Sequence, residues 1–400
     1  MLSAVALLLA ALVWLPLLHV PFARRAAAWR AGPGDGAGAG GASGGVPVRV
    51  RELHAAQVAF LHDAARQQQQ RGAMRATNAE WDFMGRTFLA LSLANLALRD
   101  PGARAAHLRD LDAIIDDTLR LEAQHGPEHF LMGYVHRAPF VVQPARSLFV
   151  DGEIALMLAA RRLVEEKPAY REPLAARVAA MVARLQASPV LSGESYPDEC
   201  WTFCNTVALA AIRLADTLDG TDHGDLARAW VATARARLLD ARTGLLVSSY
   251  TFDGTHRDGP EGSSIWMASH MLQLVDPGFA ADQYRRARAQ LGRRFLGFGY
   301  AREWPASWVG PRDVDSGAVV PVLEAGIGSS GLALVGAGAF RDEAFLRELV
   351  ATLEYAGFPT RDGARARFAA GNQVGDAVLL YALTLGPLWE RAQSPGRQHP

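Results

Sequence analysis

Ser195–Trp230, SYPDECWTFCNTVALAAIRLADTLDGTDHGDLARAW, holds the unit from which the chain is built. A long polar loop, roughly 188–203, leads into a helix over 203–218 that carries almost no charge. In it Phe203, Val207, Ala210, Ala211 and Leu214 recur at helical spacing. A short junction, Asp219–His223, then turns the chain into a second helix over 224–237, which is studded with arginine and opened by Asp222 as its cap.

The same alternation extends in both directions. Short junctions fall at Asp100–Gly102, Glu166–Pro168, Asp276–Gly278 and Arg341–Asp342, and long loops run near 125–150, 239–261, 293–321 and 356–372. About twelve helices result, near 50–70, 82–98, 104–123, 151–165, 170–187, 203–218, 224–237, 261–274, 278–292, 322–338, 341–355 and 373–392. Alternating joints predict an all-α (α/α)6 toroid, six helical hairpins around a central cavity. An α-solenoid is the alternative, but no fixed-period motif repeats. The strand signal is Leu245–Phe252, ended by Asp253-Gly254.

In a toroid all the long loops share one face, where a site belongs. The charge-poor helices, CNTVALAAIRLA and LEAGIGSSGLALVGAGAF among them, form the inner ring, with their N-termini at the cavity mouth.

Composition narrows the classes. Of 400 residues 50% are hydrophobic, enough for a large core, and 41 basic residues balance 41 acidic ones. No basic stripe suggests nucleic acid. The two cysteines, Cys200 and Cys204, have neither disulfide-scaffold numbers nor zinc spacing, and no metal site is predicted. Leu2–Ala23 is an uncharged apolar run long enough to cross a bilayer, and Arg24, Arg25 and Arg30 follow it. That order favours an uncleaved anchor with the body in the cytoplasm, an exported body being the alternative. The predicted divisions are a transmembrane or signal-like segment (1–24), a Gly/Ala-rich flexible linker (25–47), the toroid (48–392) and a disordered tail (393–400).

Acids, amides, a thiol and indoles recur at the starts of the predicted inner helices. Asn78, Glu80, Trp81 and Asp82 open the first, and Asp151 and Glu153 the second. Ser195, Tyr196, Asp198, Glu199, Cys200, Trp201, Cys204 and Asn205 surround the third, and Glu261, Ser264 and Trp266 the fourth. Trp304, Trp308, Asp313 and Asp315 precede the fifth, and Asn372 opens the sixth. Helix capping alone accounts for Asp151, Asp198 or Glu261 singly, and core packing for the tryptophans; their convergence on one face points to a site. His125, His129 and His136 have no metal-motif spacing, and His256 and His270 read as surface or packing residues.

The run Pro197-Asp198, then Cys204-Asn205-Thr206-Val207-Ala208, then Gly220-Thr221-Asp222, resembles bacterial linalool dehydratase-isomerase, and a weaker likeness continues through DPGFAADQYRRAR. Members of that family have the (α/α)6 fold, form ring-like oligomers, and interconvert linalool with myrcene and geraniol without an organic cofactor. The resemblance implies that Cys204 matches one family active-site cysteine, while the other falls at Ser195. Glu153 stands where the family has a histidine. Asp82 in EWDFMGRTF corresponds to the catalytic aspartate, with Phe88 in place of a tyrosine.

Three functions follow. The leading one is a lyase or isomerase acting on an apolar, isoprenoid-like alcohol, without cofactor. Cys204, Asp82, Glu153 and Glu199 would be catalytic, with Cys204 activated by its helix start, and Ser195, Tyr196, Asp198, Trp201, Asn205, Glu261, Ser264, Trp266, Trp304 and Asn372 would line the substrate. The alternative is a carbohydrate-active enzyme with a carboxylate pair drawn from Glu153, Glu199 and Glu261. The third is a non-catalytic binding toroid. The expected partners are a small apolar substrate or a glycan, a membrane through the N-terminus, and further copies of the chain.

Overall fold

The computed structural model describes residues 2–30, 45–314 and 316–393. Most of the predicted linker (31–44) and of the predicted tail (394–400), together with Asp315, lies outside them.

Sixteen α-helices follow one another in the described residues. The apolar α1 (Leu2–Leu17) and the short α2 (Val20–Ala27) come first, then α3 (Val48–Leu61), α4 (Ala64–Thr77), α5 (Ala79–Arg99) and α6 (Arg104–His125). The next pairs are α7 (Leu148–Val164) with α8 (Arg171–Ala187), α9 (Thr202–Asp219) with α10 (Gly224–Arg237), and α11 (Gly262–Met271) with α12 (Pro277–Gln290). The last are α13 (Ile327–Ala339), α14 (Glu343–Ala356), α15 (Gln373–Thr384) and α16 (Pro387–Gln393).

Helix contacts close the ring. Going round it, α5 packs on α7, α7 on α9, α9 on α11, α11 on α13, α13 on α15, and α15 returns to α5. The chain is an (α/α)6 toroid. Every residue of α7 is buried, as befits a helix enclosed by a second layer, whereas α8 buries only the face of Leu174, Arg177, Val178, Met181, Arg184 and Leu185. Close approach requires small residues: a Cβ on Gly152 of α7 would stand 3.3 Å from the backbone of Ala208 on α9.

Side-chain caps set several starts. Asp63, Asn78, Asp276, Asp342 and Asn372 each accept an amide of the first turn they precede. The cap at Asp63 splits the predicted helix 50–70 into α3 and α4. Likewise Leu385-Gly386-Pro387 divides the predicted helix 373–392 into α15 and α16, because proline cannot continue a helix. Strands are short and confined to the long-loop face. The strand expected at 245–252 shrinks to Ser249–Tyr250, paired with Cys200–Trp201 and His256–Asp258. Hairpins at Gly292–Ala301 and Pro359–Phe368 were not expected from sequence.

Leu2–Ala27 is long and apolar enough to cross a membrane, with mean hydropathy 2.2 over its most apolar window, which has no buried residue. The expected boundary at residue 24 is corrected: residues 25–30 are not linker but part of the body. Ala26 and Trp29 are buried, Trp29 Nε1 donates to Glu354 Oε1 at 2.7 Å, and the indole stacks on Phe368. At the other end of α2, Phe22 packs on Phe298 and Tyr355.

Candidate active site

A cavity of about 500 Å³ opens at the mouth of the ring. Every inner helix contributes to its wall from its first two turns: Glu80, Trp81 and Met84 from α5, Phe149 from α7, Phe203 and Cys204 from α9. Ser263 and Ser264 come from α11, Ile327, Gly328, Gly331 and Leu332 from α13, and Val374, Gly375 and Val378 from α15, while Asn78, Tyr196, Trp201, Ala318 and Asn372 come from the adjoining loops. Of the predicted site residues, Cys204, Tyr196, Trp201, Ser264 and Asn372 therefore meet in one place, Asn372 also capping α15. A smaller hollow of about 350 Å³ lies behind Trp81 and Asn372, against α3 and α4.

Glu80 is the carboxylate on the cavity wall, and no wall residue is basic. It accepts the Tyr196 hydroxyl, which in turn accepts the Met132 amide at 2.9 Å. Tyr134 stacks on Tyr196 with centroids 4.3 Å apart and reaches Glu199 Oε1 at 3.3 Å. Glu199 also accepts the Trp201 indole N–H and lies 3.6 Å from Arg257. Burial pushes the Glu199 carboxyl above the usual carboxylate range, against the pull of Trp201 and Arg257. Burial, then the charge on Glu80, pushes the Tyr196 phenol up as well.

Beneath the wall lies Glu153, wholly buried, with Oε2 unpartnered. Burial raises its carboxyl to about 7, against the neighbouring Thr87 hydroxyl. Its charge is felt by Cys204 on α9 and by Tyr381 on α15. On the ring floor Tyr381 meets His270 at 2.7 Å, and His270 stacks on Trp389.

Cys204 is not the activated thiolate expected from its helix start. Burial pushes the thiol well above its ordinary value, Ser195 opposes this, and the neighbouring acids Glu80, Glu153 and Glu199 reinforce it. A helix N-terminus contributes only part of a charge, which does not offset full burial among carboxylates. Cys204 is a neutral thiol.

Other expected site residues have structural work instead. Asp82, 3% exposed, faces away from the cavity and lies 3.2 Å from Arg86, 3.3 Å from Arg71 and 3.8 Å from Arg75, tying α5 to α4. Asn205 clamps the loop above α9, accepting the Gly193 amide at 2.8 Å and donating to Gly193 and Trp201 carbonyls. Trp266 is core, packed on Tyr284 and Phe345 with its N–H on Ser329. Ser195 is buried behind the wall, Asp198 accepts the Phe252 amide outside it, and Glu261 ends the loop at the N-terminus of α11. Trp304 lies buried beneath Arg312, and Phe88, where the resemblance placed a tyrosine substitute, is core. Cys200 is a buried thiol directed at the Ser192 carbonyl.

Sequence reasoning missed Glu80 as the wall carboxylate, Tyr134, Tyr381 and the floor role of His270. Glu80 was visible at a helix start; the two tyrosines and His270 carry no local signal, because ring closure brings them together.

No protein-family model matches the chain. A similar solved structure is the GH76 α-mannanase of Bacteroides thetaiotaomicron, 12% identical, with 78% of this chain and 87% of that chain covered and a TM-score of 0.48.

Proposed function

We propose that the toroid is a lyase or isomerase for a neutral, largely apolar alcohol, the chemistry suggested by the likeness to linalool dehydratase-isomerase. One observation carries this reading: the cavity wall has aromatic and aliphatic side chains, one carboxylate and no basic group. Such a wall disfavours anions and favours a neutral substrate whose transition state gains positive charge. Indole faces and a carboxylate stabilise that charge in a water-poor site.

Glu80, in place of the expected Asp82, acts as acid and then base. A proton taken up by its carboxyl passes to the substrate hydroxyl, the C–O bond breaks and water leaves. The allylic cation lies against Trp81 and Trp201. The Glu80 carboxylate then removes a proton from the adjacent carbon, so the alcohol yields alkene and water with the enzyme restored. Return of water to the other end of the allyl cation gives the isomer instead. Cys204 hydrogen-bonds the hydroxyl as a neutral thiol, and Glu153 behind it holds a proton exchangeable near neutrality.

A carbohydrate-active enzyme is the second reading, favoured by the carboxylates Glu80 and Glu199 flanking the Tyr134–Tyr196 stack beside Trp201. One experiment separates them. The full chain in detergent is given tertiary and allylic isoprenoid alcohols, with headspace gas chromatography, and in parallel a panel of aryl glycosides. Alkenes or rearranged alcohols, lost in Glu80→Gln, support the first reading. Glycoside cleavage lost in Glu80→Gln or Glu199→Gln replaces it with the second, and turnover unchanged in Glu80→Gln removes the assigned acid.

A further inference from the structure

Outside α1 and the turn that ends it, the large apolar residues exposed among the described residues have a one-sided distribution. Except for Val48, all of them lie on the long loops of the mouth face or at the mouth ends of α13 and α14. Phe295, Val309, Val320, Val322, Ile327 and Phe358 make up most of this rim, with Val322 97% and Val309 82% exposed. Ile327 is more than half exposed on the rim and also lines the cavity, so exposed apolar surface reaches the edge of the site. Exposed apolar surface of this extent marks a contact face.

The course of α2 identifies the contact. Helix α14 runs from the closed end of the ring to the mouth, and α2 lies against it in the opposite direction. Arg30, beyond the end of α2, pairs with Glu343 at the start of α14, whereas Phe22 near its beginning packs on Tyr355 at the other end. The apolar helix therefore joins the body at the mouth. Its junction is fixed against a rim loop: His19 packs edge-on to Phe298, and a Cβ on Gly297 would collide with the His19 ring. Exposed Arg24 and Arg25 follow directly, where lipid phosphates would meet them. Residues 2–19 span about 27 Å as a helix, close to the hydrocarbon thickness of a bilayer.

We infer that the mouth rim seats on the surface of the bilayer that α1 enters, so that the cavity opens onto lipid rather than bulk water. The anchor sets the depth, because His19 at its base touches the hairpin whose turn carries Phe295. The rim loops then dip their apolar side chains into the headgroup boundary. This holds whatever reaction the cavity performs, and it gives an apolar substrate a route from membrane to site that avoids water.

The test uses the full chain in phosphatidylcholine–phosphatidylglycerol vesicles. A small environment-sensitive fluorophore is attached at Val322→Cys or Phe358→Cys on the rim, Leu9→Cys in α1, or Asp225→Cys at the closed end, with the parent chain correcting for its own buried thiols. Nitroxide-bearing lipids are the quencher. The expected result is severalfold quenching at both rim positions and at Leu9, and none at Asp225. Val322 and Phe358 are exposed, so these variants keep the fold. Quenching at Leu9 alone overturns the inference while leaving the anchor standing. A rim label shielded from both water and lipid also overturns it, and indicates a second copy of the chain on that face. No quenching at any position overturns the anchor and the inference together.

Discussion

His270 Nε2 lies 2.7 Å from the Tyr381 hydroxyl, a bond that joins α11 to α15, which are not neighbours in the ring but are separated by α13. The other imidazole nitrogen stands 3.1 Å from Gln273, and burial holds the ring's pKa down to about 4. The native state thus refuses a proton that the unfolded chain accepts below pH 6.5. Stability contributed by neutral His270 is present above that pH and falls as pH drops from 6.5 towards 4, by about 3 kcal/mol in all. Denaturant titrations at pH 7 and 4.5 on wild type and His270→Gln read it as the difference between the two slopes. Equal slopes would remove the buried neutral imidazole from the account.

Glu153 has the opposite sign. Its folded carboxyl titrates near 7 and its unfolded one near 4.5, so folding takes up a proton between those values. Above pH 7 the native state has lost about 3 kcal/mol through this group, and below 4.5 nothing. Glu153→Gln should therefore raise the melting temperature at pH 8 and leave it nearly unchanged at pH 4. A variant no more stable than wild type at pH 8 would show that Glu153 is solvated or paired.

Cys204 lines the cavity but is held protonated. Iodoacetamide at pH 8 should alkylate it at least about tenfold more slowly than a free thiol, since only the thiolate reacts. Peptide mass spectrometry over a time course checks this. Fast labelling of Cys204 in the native chain would restore the activated thiol.

Asp82→Asn should cost about 3 kcal/mol, because Arg71, Arg75 and Arg86 lose the carboxylate they share inside the protein, while Asp117 still pairs with Arg71 and Arg86. The surviving folded fraction should bind an apolar dye in the cavity with unchanged affinity and keep its pH–rate profile. A displaced pH profile at unchanged stability would return Asp82 to the site.

The ring was legible because alternation of joint length is a property of sequence order. The cavity at the long-loop face followed from it, with Cys204, Tyr196, Trp201, Ser264 and Asn372 on its wall. What failed depended on contacts between distant segments. Asp82 and Glu80 sit two residues apart at one helix start, and which of them faces the cavity is decided by the arginines of α4, which exists because Asp63 caps a new helix. Asn205 carries the same motif whether it touches substrate or clamps Gly193. The state of Cys204 depends on burial among acids drawn from three other segments, and no local pattern shows that.

The wedge formed by Trp29 has a bearing on how this chain tolerates being shortened. Its indole is the partner of Glu354, itself buried, and covers Phe368. A chain beginning at Val48 would keep all six hairpins yet leave an acid without its donor and an aromatic face open to water, inviting aggregation. Cleavage that frees the body intact has a narrow window, the turn Leu18-His19 between α1 and α2. A protease cutting further along releases a damaged ring.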